Sequence, residues 1–196
     1  MSTHYSLKRI AIFASGTGSN ATKIVAYFKN HASISVALVV SNKATAPVLQ
    51  MATANHISTL LINRTSFYES EQLLEELARH QIDFIVLAGF LWLIPPYLVK
   101  SFEGQMVNIH PALLPKYGGK GMYGMNVHKA VQENGEKESG ITIHFVNEQY
   151  DEGGVIFQAT CGIESTDAPT AIRNNVLQLE HYYFPRIIEG LSLIHI

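Results

Sequence analysis

Cysteine is nearly absent. Cys161 stands alone among 196 residues, so no internal disulfide can form, and this usage fits a reducing compartment. Charge is sparse as well, at 15% of residues with a formal net charge of -2. No strong field therefore draws the chain as a whole to nucleic acid or to an anionic membrane. Long apolar runs are missing: none reaches the roughly 20 residues that cross a bilayer. The opening MSTHYSLKRIAIF has no apolar core of signal-peptide length. The expectation is a cytoplasmic protein with neither a nucleic-acid nor a membrane partner. The sequence has no internal repeat, low-complexity tract or Pro/Gly-rich linker, which points to one domain over residues 1–196. Nine histidines occur, but no His-Glu-x-x-His and no cysteine pair, so no metal site is expected. His128, His144 and His181 read as scattered surface or core positions. Cys161 lies in an apolar run with nothing near to lower its pKa, which argues against a nucleophile.

What is present is a globular composition, 47% hydrophobic, organised as short apolar runs alternating with longer segments of helical period. Strands are expected at Arg9–Ala14, Ser35–Val40, Ser58–Ile62, Phe84–Ala88, Met106–Ile109, Ile141–Val146 and Val155–Cys161. Helices are expected at Ser19–Asn30, Ala46–Asn55, Ser66–His80, Ile94–Phe102, Asn126–Asn134 and Pro169–Glu189. The first five strands are continuous apolar runs, as strands buried on both faces should be. The last two have only Asn147–Gly154 between them, too short for a crossover helix, so they pair antiparallel. The fold class is α/β: a Rossmann-like, doubly wound, mostly parallel seven-stranded sheet with an antiparallel part. Such sheets bind ligands beyond the carboxyl ends of their strands. That rule selects the loops after Ala14, Ala88 and Ile109 and the turn Asn147–Gly154. Whether the ending LSLIHI is an ordered tail or a loose apolar end is left open.

After the first strand comes SGTGSNA and then a helix. Gly16 and Gly18 permit a tight turn and close approach of an anion. Ser19 or Asn20 can cap the helix, whose first N–H groups suit a phosphate. No Gly-Lys-Ser/Thr follows, which excludes a P-loop. Gly16, Gly18 and Ala21 fit G-x-G-x-x-A, but the second strand ends LVVSNKATA without an acid for NAD ribose. Ser41 and Lys43 could take a 2′-phosphate, which keeps an NADP-binding oxidoreductase or a non-catalytic nucleotide module as rivals.

The fifth strand ends MVNIHP. Asn108 and His110 are two apart, share a face, and project from the sheet's carboxyl edge where Pro111 turns the chain away. Asparagine donates without titrating, and histidine donates or exchanges a proton near neutral pH. Together they suit an oxygen that gains negative charge in acyl transfer. They would equally serve to tie down the next loop. Asp151, in NEQYDEGG, can favour the imidazolium of His110 and relay a proton through water, or act as a plain turn residue before glycine.

The runs SGTGSN, SNKATA, LAGFLWLIP, NIHPALLPKYGG and HFVNEQYDEGG, in this order and spacing, resemble the glycinamide ribonucleotide branch of the formyltransferase superfamily. The likeness runs from about residue 8 to residue 190. It implies formyl transfer from 10-formyltetrahydrofolate to the amine of glycinamide ribonucleotide, in de novo purine synthesis and without metal. By the same likeness Asn108, His110 and Asp151 form the catalytic trio, and Gly18, Ser19 and Asn20 hold the substrate phosphate. Glu180 contacts the ribose hydroxyls. Phe90, Leu91, Trp92 and Leu93, with Tyr150, Glu152 and Gly153, line the folate pocket. The N-terminal half would then bind the nucleotide and the C-terminal half carry the folate and catalytic loops. Three departures stand out. Trp92 takes the place of a frequent arginine, and Thr45 that of a frequent aspartate. The segment GGKGMYGMNVHKA is longer and richer in glycine than usual, and a family histidine there has no clear counterpart. Its glycines, Gly118 to Gly124, mark either a lid or a tolerated surface loop.

Overall fold

The structure is a computed structural model that describes residues 7–194. Seven strands alternate with seven helices: β1 (Lys8–Phe13), α1 (Ser19–Phe28), β2 (Ile34–Ser41), α2 (Pro47–Ala54), β3 (Ser58–Leu61), α3 (Arg64–Tyr68), α4 (Gln72–Arg79), β4 (Phe84–Leu87), α5 (Pro96–Ser101), β5 (Met106–His110), α6 (Met125–Glu133), β6 (Glu138–Phe145), β7 (Val155–Gly162) and α7 (Pro169–Ile194). The strands form one sheet in the order β3-β2-β1-β4-β5-β6-β7. Pairs from β3 to β5 are parallel, and β6 and β7 run antiparallel. This is the expected doubly wound sheet with an antiparallel flank.

Alternation along each strand feeds two cores. In β1, Ile10 and Ile12 pack on one face with α1, α2, α6 and α7. Ala11 and Phe13 pack on the other with α3, α4 and α5. The chain builds outward from β1 to β3, then returns to β4 on the other side of β1. The crevice therefore opens between β1 and β4. Two bonds join their loops there: Ser15 N–H donates to Gly89 O at 3.0 Å, and Leu91 N–H to Ser15 Oγ at 3.0 Å.

Two expectations need correcting. β3 is not buried on both faces: Ser58, Thr59 and Leu61 are exposed, because β3 is the sheet edge and only one neighbour covers it. The helix expected over Ser66–His80 is two helices, α3 and α4. Asn63 caps α3 by accepting from Ser66 N–H at 2.9 Å. The helix stops because the Tyr97 hydroxyl donates to Phe67 O at 3.0 Å, the carbonyl that a continuing helix would offer to residue 71. Of the ending LSLIHI, Leu191–Ile194 continue α7, while residues 195 and 196 lie outside the described residues. Among the described residues no helix is long and apolar enough to cross a membrane.

Candidate active site

Strand β5 delivers Asn108 and His110 to the carboxyl edge of the sheet, and the β6–β7 turn brings Asp151 over them. Asp151 takes φ +58°, a left-handed turn conformation that aspartate tolerates better than most residues. Its two oxygens face different partners. Oδ2 lies 3.4 Å from His110 Nδ1 and accepts from Gly119 N–H at 2.9 Å. Oδ1 accepts from Asn108 Nδ2 at 3.3 Å and lies 3.6 Å from His144 Nε2. The other ring nitrogen of His110, Nε2, donates to Tyr117 O at 2.7 Å. Acceptors thus face both nitrogens of this buried ring, an arrangement that the doubly protonated cation satisfies. Burial alone would raise the Asp151 carboxyl. The hydrogen bonds from His110 and His144, the charge on His110 and the Gly119 N–H outweigh burial and hold it well below the ordinary carboxylate range.

His144 completes the group. It stands directly opposite Asn108 in the antiparallel ladder. Its Nδ1 donates to Phe145 O at 2.8 Å, and its Nε2 lies 3.1 Å from Asn108 Nδ2. Thr142, two residues earlier on the same face, fixes the loop that follows His110. Its buried hydroxyl donates to Ala112 O at 2.7 Å and accepts from Leu114 N–H at 3.0 Å and Gln158 Nε2 at 2.8 Å. Gly153 is required by close approach: a Cβ there would collide with the Phe145 carbonyl and stand 3.4 Å from His144 Nδ1.

Asn108, His110 and Asp151 line one end of a cavity of about 500 Å³, within the usual range for small-molecule sites. At the other end is the N-terminus of α1. Neither Ser19 nor Asn20 caps this helix: the cap position is Gly18, at φ +73°, with no side-chain cap bond and no acid in the first turn. A Cβ at Gly18 would stand 2.5 Å from Val48 Cγ2, so glycine is dictated by both backbone and space. The Asn20 amide instead donates to Glu180 Oε2 at 2.6 Å, and its buried Oδ1 has no partner. Burial pushes the Glu180 carboxyl up, against the opposing effects of Asn20, Arg173 and His110.

Of the residues expected at the site, Ser19, Asn20, Phe90, Leu91, Asn108, His110, Tyr150, Asp151 and Glu180 line this cavity. Gly18 is not in the lining and stands one residue before it, at the N-cap of α1. Trp92, Leu93, Glu152 and Gly153 do not line it. Trp92 instead stacks among Phe67, Tyr68 and Phe90, with Arg64 over its ring at 5.1 Å. The Leu93 carbonyl accepts from Tyr68 Oη, and Glu152 is exposed. Ser41 and Lys43 are also absent from the lining. The Ser41 hydroxyl accepts from Lys43 N–H at 3.2 Å, closing a turn rather than facing a ligand.

The family profile described as formyl transferase matches residues 8–188. The chain belongs to the formyl transferase family. Among its relatives, the chloroplastic phosphoribosylglycinamide formyltransferase of Arabidopsis thaliana is 40% identical over 190 residues. That match covers 94% of this chain and 65% of the plant protein, so the chain spans less than two thirds of that relative. The phosphoribosylglycinamide formyltransferase of Bacillus subtilis (strain 168) is 34% identical, over 94% of this chain and 95% of that one. The crystal structure of glycinamide ribonucleotide transformylase 1 from Geobacillus kaustophilus superposes with a TM-score of 0.85 at 34% identity, over 95% of this chain and 99% of that one.

Around this cavity lie residues that sequence reasoning passed over. His128 and His144, read as scattered, are both buried; His128 lines the cavity from α6 with Nδ1 unpartnered. Burial, then Arg173 and His110, press its pKa down to about 4. For His144 a signal existed: Thr142 and His144 alternate in the apolar run ITIHF, as Asn108 and His110 do in β5. Arg173 reaches the cavity from α7, and the sequence gives no sign of it.

Proposed function

We propose that this chain transfers the formyl group of 10-formyltetrahydrofolate to the amine of glycinamide ribonucleotide, a step of purine biosynthesis, as a single cytoplasmic domain without metal. The observation that carries the reading is one cavity with two chemically distinct ends. One holds Asn108, His110 and Asp151, and the other a helix N-terminus beside a buried carboxylate. At the second end the first N–H groups of α1 receive the phosphate. The ribose hydroxyls meet Asn20 Oδ1 and Glu180, which answers the missing partner of that oxygen.

The folate fits the wall at Phe90, Leu91 and Tyr150. Leu91 and Tyr150 are each 37% exposed although both line the cavity, and a flat heterocycle would cover them. When bound, the folate supplies the electrophilic formyl carbon. Asn108 Nδ2 and the His110 imidazolium stabilise the oxygen that turns negative as the amine adds. In this structure those N–H groups point at His144, Asp151 and the Tyr117 carbonyl. Exchanging the neutral Tyr117 carbonyl for an oxygen gaining charge strengthens the His110 bond selectively in the transition state. Asp151 touches His110 directly, so its first role is to keep the ring charged. Its carboxylate is then the nearest base to take the amine proton and pass it through water to folate N10, which leaves as an amine when the C–N10 bond breaks and the formyl group stays on the acceptor.

The test is a steady-state assay with glycinamide ribonucleotide and 10-formyl-5,8-dideazafolate, with a control lacking the acceptor. Turnover that needs the acceptor supports the reading. Equal turnover without it would make the chain a hydrolase. Thermal stabilisation by NADPH alone would return the case to a dinucleotide enzyme.

A further inference from the structure

The cavity contains a cation that forms no close ion pair among the described residues. Its charged lining consists of Lys120, Asp151, Arg173 and Glu180, besides the histidines. Asp151 faces His110, and Glu180 is buried against Asn20. Arg173 takes part in none of the ion pairs within 4.0 Å among the described residues. Its guanidinium makes one long contact, with Asn174 Oδ1 at 3.4 Å. Arg173 itself is exposed, but the helix that carries it is anchored on either side by the buried Ile172 and Val176. Arg173, Leu177 and Glu180 follow the i, i+4, i+7 spacing of one helical face, and all three reach the cavity that Ser19 and Asn20 line from α1.

A phosphate monoester carries nearly two negative charges at neutral pH. A helix N-terminus offers roughly half a positive charge, so the α1 end alone leaves most of that charge uncompensated. Lys120 sits on the glycine-rich segment between Tyr117 and α6, whereas Arg173 is mounted on a packed helix and presents a planar fork of donors suited to phosphate. The unpartnered Asn20 Oδ1 and His128 Nδ1, both buried in the same lining, mark the cavity as built for a polar ligand.

We propose that Arg173 is a substrate-positioning residue whose guanidinium neutralises the 5′-phosphate of the acceptor held at α1. It would thereby set the preference for a phosphorylated acceptor over its nucleoside. This rests on the proposed function, and the test separates the two. Binding of glycinamide ribonucleotide and of its dephosphorylated riboside is measured by calorimetry on the full chain, and kcat and KM are measured in parallel. Arg173→Ala weakens ribonucleotide binding and raises its KM by about tenfold, the scale of one partly exposed charge-assisted pair. kcat stays within about twofold, and riboside binding does not change. Arg173→Lys recovers most of the loss. Added salt weakens wild-type binding more steeply than that of the alanine variant. If Arg173→Ala binds the ribonucleotide as wild type does, or loses both ligands equally, the proposal falls while the transfer reaction stands. A wild-type chain that neither binds nor formylates the ribonucleotide overturns both.

Discussion

Asp151→Asn removes one charge and keeps the side chain's size. In the wild type that charge faces His110 Nδ1 at 3.4 Å and His144 Nε2 at 3.6 Å. Two unit charges 3.4 Å apart attract by about 5 kcal/mol at an effective dielectric of about 20. Asparagine's own dipole and water entering the cavity recover part of this, which leaves a barrier increase of about 3 kcal/mol, or roughly a hundredfold in kcat. The Gly119 N–H keeps an acceptor in the asparagine oxygen, so KM for either substrate changes by less than about threefold. Stability carries a second signature. The folded carboxyl is held far below its ordinary value of 3.8, so ionised Asp151 contributes stability at neutral pH. That contribution is lost as pH falls below 3.8 and through the folded value. The stability gap between wild type and variant should therefore shrink with acidification. Steady-state rates at pH 7, with urea unfolding at pH 7 and pH 3, test both parts. A variant turning over within threefold of wild type would refute the role given to Asp151, and a gap that widens in acid would refute the electrostatic account.

Gly18→Ala places a Cβ 2.5 Å from Val48 Cγ2 at φ +73°; we expect a loss of about 2–3 kcal/mol and a fall in Tm of roughly 5–10 °C, read by calorimetry. Thr142→Val strips the buried partner from Ala112 O and Leu114 N–H, which costs about 2 kcal/mol and lowers kcat through the loop behind His110; unchanged urea unfolding would contradict this. His128 is buried with its pKa pressed from 6.5 to about 4, so between those values the unfolded chain binds a proton that the folded chain refuses. Stability falls as pH drops across that window, by about 2 kcal/mol after allowing for water at the cavity mouth. His128→Phe flattens this slope in unfolding titrations at pH 7 and pH 5.

The sheet and its site edge were legible because they depend on local pattern. Two polar residues at alternate positions, ending an apolar strand before proline, located Asn108 and His110, and the shortness of the β6–β7 connection located Asp151. What stayed hidden depends on partners far along the chain. The break between α3 and α4 is made by Tyr97, which lies beyond both helices. His144 belongs to the site through its register opposite Asn108, and register is a tertiary property. Among the pocket residues, Phe90 and Leu91 line the cavity while Trp92 and Leu93 turn into aromatic packing and a loop bond, a distinction invisible in a run of apolar letters. Glu180 and Arg173 look like solvated helix charges until α7 is laid against α1 and β6.

The ladder in which Asn108 faces His144 has a further consequence for anyone refolding this protein. Slipping β6 by a single position against β5 would swing Thr142 and His144 to the opposite side of the sheet while conserving most backbone hydrogen bonds. Circular dichroism would scarcely notice such a molecule, yet it could not hold the Asn108 amide or the segment after Pro111. Specific activity in a renatured sample is therefore a direct count of correctly threaded chains, and a more searching one than helix content or compactness.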